Sequence, residues 1–422
     1  MEGNANASAQ EQYHARLERF NNAVALKKPD RVPVVSLAGF FVTQYAGLTP
    51  RQALYDYESM AQAWKSTTFK LNWDMSPTPL VMYPGPALDM IGARHYKWPG
   101  GELPDNVTYQ FLENEYMLAG EYDEFLRNPD GFTLRKLMPR FARALQPLVA
   151  LPPLYSLISA RAFLFGTGMI AGTPAMAEAM RTMLRYGEEW MKWNSVVAAM
   201  SEEIEQAGYP MLHVASCYAP FDWISDNLRG MRGCMLDMYR RPDKLLAAMD
   251  LYSDMAIEST VAAAKQCGNP RIFMALHRGS GGFMSNEQFA KFYWPGLRKV
   301  MLALIDAGLT PLPYWEGDYT ERLDYLAELP RGKIAGHFDI VDLAKCKQVL
   351  GDRMCFWGNV PASLLVTGTP RQVAEYVRKL IELFGDGYGL IVDGAVAGVP
   401  DESRPENVEA MVETVFKYGV YR

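Results

Sequence analysis

Histidine and cysteine are scarce in this chain, with five of each in 422 residues. The cysteines (217, 234, 267, 346 and 355) are odd in number and none sits in a Cys-x-x-Cys pair, so the natural reading is reduced thiols in a cytoplasmic protein. Basic charge is not in excess: 42 Lys+Arg stand against 48 Asp+Glu, a net of −6. That balance argues against a nucleic-acid partner but leaves room for a small anion held by one or two arginines. No Gly-x-Gly-x-x-Gly follows a strand-like run and no Walker loop is present, so a dinucleotide fold is not expected. The most apolar stretch, Leu148–Thr173, is interrupted by Pro152, Pro153, Arg161, Gly166, Gly168 and Gly172. A membrane span wants roughly 20 predominantly apolar residues without such breaks, so this stretch is expected to be buried protein. The polar segment Met1–Glu18 has no apolar core of a secretory leader. Tandem repeats and low-complexity linkers are also missing.

Hydrophobic residues make up 49% of the chain, enough for a large core. The expected organisation is a flexible tail over residues 1–9 and one domain over 10–422. Five apolar runs each lead to a polar residue able to do chemistry. Arg271–Leu276 ends at His277, Thr310–Trp315 at Glu316 and Lys333–Gly336 at His337. Met354–Trp357 leads to Asn359, and Gly389–Val392 ends at Asp393. Amphipathic segments lie between most of them. That rhythm predicts a (β/α)8 TIM-type barrel with its cleft at the C-terminal face.

Earlier segments fit the same plan. Val32–Leu37, a run ending near Asp74, and Pro210–Val214 read as strands; Phe163–Ile170 reads as a further one. Asn106–Leu118 alternates like a β-hairpin over the barrel mouth, and the Pro84–Pro104 segment looks like a long functional loop. Phe132–Leu148 and a long run from Thr173 to about Ala207 read as helices, and Tyr218–Asp226 as a loop with two aspartates. Capping patterns at Thr49, Ser285, Thr369 and Ser403 each predict a helix start.

Among the histidines, His14 reads as a surface residue, His95 as part of the loop, and His213 as a hydrogen-bonded core residue. His277 and His337 both end strands. Glu316, between aromatics and a glycine, and Asp393 are carboxylates poised for partial burial, which demands a partner. A metal, an arginine or a substrate would answer that demand; so would a plain ion pair with Arg278. Asn359 suits either a turn or a hydrogen bond to substrate. Tyr314, Trp315, Trp357, Tyr218, Phe221 and Trp223 are candidates to line a pocket, although most barrel aromatics are core.

Three short segments, in order, resemble the uroporphyrinogen decarboxylase-like superfamily. They are Lys27-Lys28-Pro29-Asp30-Arg31-Val32-Pro33-Val34, Trp357-Gly358-Asn359-Val360-Pro361 with Leu364-Leu365, and Pro405-Glu406-Asn407-Val408. The likeness runs from Arg19 to the C-terminus and is best from Arg271 onward. It implies a distorted (β/α)8 barrel. The decarboxylase's Arg-Gln-Ala-Gly-Arg element is replaced by Val35-Ser36-Leu37-Ala38-Gly39-Phe40-Phe41, and its Phe-Ser-Asp-Ile element is matched only in part by Asn72-Trp73-Asp74-Met75. An acidic tetrapyrrole would lack its counter-charges. The His-x-Cys zinc motif of one methyltransferase branch is absent too, because Arg278 and Gly279 follow His277.

The chain looks most like the methyl-ether cleaving, corrinoid-dependent methyltransferases of O-demethylase systems. Their motif is Glu, fourteen residues, Glu, twenty residues, His. Glu316 and His337 match its second half across positions 317–336, while Met301 stands where the first glutamate would fall. The resemblance implies zinc held by Glu316, His337 and, as third ligand, His277, with Asp393 as substitute. The expected catalytic residues are Glu316, His337 and Asp393, with substrate held by Asn359, Arg278, Trp315 and Asp74. The expected reaction moves a methyl group from a small methoxylated or methylated substrate to a corrinoid carrier protein, with no nucleic acid or membrane involved and a homodimer also open. Without metal, Glu316 would be the acid and His337 its partner. A cofactor-independent decarboxylase using Arg278 and Asp393 is the alternative, and a silent ligand-binding barrel the third reading.

Overall fold

The barrel is built from parallel strands whose edges are joined by short extended segments. The computed structural model describes residues 8–421 except 80 and 397. The expected 1–9 tail therefore lies outside the described residues apart from Ser8, which caps the first helix Ala9–Val24 through Glu11, and Ala9. A two-residue antiparallel pair, β1 (Tyr96–Lys97) and β2 (Gln110–Phe111), lies apart from the main sheet. The main sheet runs in sequence order: β3 (Ala215–Tyr218), β4 (Arg271–Leu276), β5 (Thr310–Asp318), β6 (Ala335–Ile340), β7 (Cys355–Trp357) and β8 (Leu390–Ile391).

Two further staves close the ring. Val34 bridges Val392 in parallel, the Asp74 amide donates to the Val34 carbonyl, and Ser76 bridges Met211. Residues 32–37 and 73–76 thus stand between β8 and the start of the third stave, as the (β/α)8 plan requires. Val35, Leu37, Met75, Leu212, Leu312, Ala335, Cys355, Trp357 and Ile391 fill the inside, and Phe20, Ala23 and Val24 of the first helix join them. Alternate residues such as Ile272, Met274, Trp315, Phe338 and Phe356 point outward into the core shared with the helices.

Local chemistry explains most helix starts. Thr49, Ser285 and Thr369 form complete capping boxes with Gln52, Gln288 and Gln372. The fourth pattern fails. Pro405 takes the first helical position of Pro405–Tyr418, so the cap falls on Arg404, which makes no side-chain cap bond.

Several expected elements are corrected. The third strand proper is Ala215–Tyr218 and not 210–214, although Met211 carries a bridge. The expected hairpin over 106–118 does not form within that stretch; only Gln110–Phe111 is strand, and it pairs with Tyr96–Lys97 of the preceding segment. Residues 132–148 are broken into short turns of helix around Pro139 and Pro147. The expected loop after Tyr218 contains the helix Pro220–Ile224. Residues 163–170 belong to a helix, Ala160–Ala171, and not to a strand. Nor is this stretch buried: none of that helix's residues is. Among the described residues no helix is long and apolar enough to cross a membrane.

Candidate active site

The C-terminal end of the barrel divides into an open half and a filled half. In β3 every second residue, Ser216 and Tyr218, is exposed. In β4 the register partners of these two, Phe273 and Ala275, are partly exposed, as is His277 just beyond the strand. On β5 Glu316 is exposed, as is Asp318 at the end of the strand. Ser216 and Ala275 are small, so the interior on this side leaves room. Across the ring, His337, Trp357 and Asp393 have no exposure at all.

His277 is the best-held group of the open half. Its Nε2 lies 2.8 Å from Asp226 Oδ2, and its backbone amide donates to Asp222. Asp222 also accepts from the Arg278 amide and from the Tyr293 hydroxyl at 2.6 Å. Nδ1 of His277 has no protein partner among the described residues. Burial pulls the imidazole's pKa down, but Asp222 and the hydrogen bond to Asp226 outweigh it and push the value up to about 9. Burial raises Asp222 to about 6 despite the neighbouring His277. Arg278 pairs with Glu113 at 3.1 Å and with Asp226 at 3.3 Å.

Glu316 is aimed by a bulge. β5 and β6 pair at Tyr314–His337 and Trp315–Phe338, then slip before Asp318. Gly317 sits in the slip at φ +83°, where a Cβ would come within 2.9 Å of Ser280. Its amide donates to Asp339. The Glu316 carboxyl makes no hydrogen bond with described residues. Desolvation at the mouth raises its pKa; Asp339 and Asp226 add to the rise, while His277 and Arg278 oppose it.

Aromatic rings form a wall near these groups. Tyr83, Tyr96 and Tyr109 are linked at centroid distances of 5.3 and 5.7 Å, and Trp190 of the long helix Pro174–Gln206 packs on Tyr83. The Tyr109 hydroxyl is pushed up to about 12 by burial and by the fields of Tyr83, Asp401, Tyr218 and Glu316. Sequence reasoning marked Tyr218 and the loop but named none of these tyrosines for the site, nor Asp226 or Asp401. The signal was the density of aromatic and acidic residues in loops after strand-like runs. A separate cavity of about 630 Å³ lies beside the mouth, lined by Glu113, Glu115, Arg229 and Arg240 among others. The chemistry is placed in the mouth because the strand-end groups converge there.

The filled half corrects several expected roles. His337 is in register with Tyr314 and not with Glu316, one layer deeper, and its ring packs edge-on against Tyr314 and Trp357. Its Nε2 is 3.1 Å from Asp393, whose carboxylate also accepts from the Leu37 and Gly394 amides. Neither side chain reaches the opening, so the expected Glu316–His337 pairing does not form. Asn359 spends its amide on the Asp339 carbonyl and the Tyr376 hydroxyl. Trp315 points outward onto Tyr319 and Phe338. Asp74 is sealed between Arg19 and Arg31, each at 2.6 Å, and accepts from the Val34 amide. It therefore holds the barrel together and cannot meet substrate. His213 is a core residue, but it stacks on Phe273 and neither ring nitrogen finds a partner among the described residues.

The zinc set implied by resemblance does not fit this arrangement. His337 faces Asp393 in a sealed layer, His277 is engaged by Asp226, and Met301 is fully buried on the helix Trp294–Asp306. Among the described residues no three His, Cys, Asp or Glu side chains converge as metal ligands.

Comparison with known proteins agrees with this architecture. The solved structure of a methyltransferase from Methanosarcina mazei matches 97% of this chain and 99% of its own with a TM-score of 0.61. Sequence identity is 17%, so that likeness concerns the fold. A uroporphyrinogen decarboxylase from Pseudoalteromonas translucida (strain TAC 125) is 22% identical over 184 residues, 43% of this chain. The match spans about half (50%) of that relative's length. Residues 169–418, more than half of the chain, match the uroporphyrinogen decarboxylase (URO-D) family, and the chain belongs to that family.

Proposed function

We propose that this barrel transfers a methyl group from a small neutral methoxylated or methylated substrate to a corrinoid on a partner protein. The observation that carries the reading is the Asp226–His277 pair, with the free His277 Nδ1 beside Glu316 on the open half. A methyl ether is a poor electrophile because negative charge builds on the departing oxygen. An imidazole with pKa near 9 is charged at neutral pH and can donate its Nδ1 proton to that oxygen. The bonding pair of the carbon–oxygen bond leaves with the oxygen, and the methyl carbon passes to the attacking nucleophile. The corrinoid would supply that nucleophile. Asp226 keeps His277 charged and oriented, Glu316 offers a hydrogen bond to the substrate, and the Tyr83–Tyr96–Tyr109 wall supplies an apolar seat.

Charge favours this over decarboxylation. Glu316 lies at the opening in the field of Asp226 and Asp339, and the guanidinium that acts on it, Arg278, is already shared by Glu113 and Asp226. A carboxylate substrate would find His277 as its one uncommitted cation at the opening among the described residues, set against those three carboxylates. Asp393, on which the decarboxylase reading leaned, is sealed.

The test is single-turnover demethylation of methoxy-aromatics with a reduced corrinoid protein. Transfer is expected from the native chain and should collapse in His277→Asn. CO₂ release without corrinoid would select the decarboxylase instead. Ligand binding without turnover, unchanged in Glu316→Gln, would select the silent barrel.

A further inference from the structure

The cavity beside the mouth lies outside the site described above, and its charges do not balance. Its wall carries four guanidiniums, Arg229, Arg232, Arg240 and Arg241, against three carboxylates, Glu113, Glu115 and Asp237. All three carboxylates are already engaged. Asp237 accepts from the buried Arg229 at 2.6 Å and from Arg241 at 3.5 Å. Glu115 pairs with Arg229, while Glu113 accepts from the Met231 amide and from Arg278 at 3.1 Å. Arg232 and Arg240 remain: among the described residues neither has an ion pair or a hydrogen bond. In a chain of net charge −6, two such guanidiniums on one cavity mark a local excess of positive charge. Both stand on the helix Gly230–Arg240, eight residues apart, which sets them about 12 Å from each other along its axis. Leu236, between them, and Met231 line the same wall and are each more than a third exposed.

We propose that this cavity binds a small phosphorylated organic molecule, with its phosphate oxygens on Arg232 and Arg240 and its organic part against Leu236 and Met231. Each guanidinium fork meets two phosphate oxygens at once. Charge selects phosphate over a carboxylate. The fixed carboxylates of the wall weaken the pull on a singly charged anion, whereas one phosphate group carries roughly −1.5 to −2 at neutral pH. Size agrees, because the cavity of about 630 Å³ falls within the range of small-molecule sites, roughly 300–1,000 Å³. The floor is set before any ligand arrives, since Arg229 and Asp237 are buried and bonded to each other. Binding therefore has only the two arginine side chains to order. The assignment does not depend on the reaction in the mouth.

Equilibrium dialysis of the full chain against radiolabelled inorganic diphosphate tests this. Saturable binding at one site per chain is expected, with a dissociation constant at or below about 1 mM. Arg232→Ala with Arg240→Ala should weaken it at least about tenfold, and the melting temperature without ligand should hold because both side chains are exposed. Arg371→Ala removes an exposed guanidinium from a helix that does not line the cavity, and should leave binding as it was. Succinate should compete at least about tenfold more weakly than unlabelled diphosphate. A native chain with no saturable binding up to about 10 mM would overturn the proposal. So would binding indifferent to the double variant, an equal loss in Arg371→Ala, or succinate that competes as well as diphosphate.

Discussion

The β3–β5 half of the barrel mouth and the β6–β8 half carry the same kinds of residue: a histidine, an aspartate and aromatics at strand ends. In one half the histidine meets the opening; in the other it is entombed. The difference lies in what stands opposite. Ser216 and Ala275 leave space beside His277, whereas Tyr314 and Trp357 close around His337. A polar strand end is thus a necessary mark of a barrel site and not a sufficient one, because neighbouring side-chain volume decides whether the group reacts or braces.

The sharpest way to break this comparison is to exchange the two histidines' fates. His277→Asn should lower turnover by roughly 10²–10⁴-fold, the range for a lost general acid, in a protein that still folds. Native activity should also fall as pH rises through about 9, where His277 loses its proton. Because the folded pKa is raised, the pair's contribution to stability is complete below the unfolded value of roughly 6.5 and disappears between there and about 9. His337→Asn should instead cost about 1–3 kcal/mol of stability by unpairing buried Asp393, with turnover per folded molecule kept. A folded His337→Asn protein without activity would reverse the assignment.

Asp74→Ala sharpens the same contrast at the filled end of the chain's second stave. It leaves half-buried Arg31 without its carboxylate and buried Arg19 with Asp30 alone, a loss of about 3 kcal/mol. Urea unfolding should show that loss with turnover intact. The smallest effect is expected at the bulge. Gly317→Ala should cost about 1–3 kcal/mol in backbone strain, and contact with Ser280 should turn Glu316 away and reduce turnover. Gly308→Ala is the control, since its φ of +80° carries similar strain but its Cβ meets open space. Equal loss of turnover in both would remove the case for Glu316.

Much of the barrel was legible because its signals are local. Thr49-Pro50 and Thr369-Pro370 place proline directly after the cap, and both helices start there; Ser403 stands one residue too far from Pro405. The strand-end positions of His277 and Asp393 follow from apolar runs alone, whereas β5 runs on past Glu316 to Asp318 and β6 past His337 to Ile340. Trp315 was misread because neighbours along a strand face opposite ways, so the residue beside Glu316 must look outward. The apolar helix over 160–171 was taken for buried because composition records what a surface is made of, and not what covers it.

The order of staves, the capped helices and the residues at the barrel's open end were therefore set by the chain itself, through periodicity and backbone hydrogen-bonding rules. Which histidine is charged, which carboxylate is free and which half of the mouth stays open were decided only in three dimensions. These depend on register and on the volumes of side chains brought together from distant segments, such as Asp226 at His277 and Asp393 at His337. Hydrogen bonding and desolvation act through those distances, and no local pattern carries them.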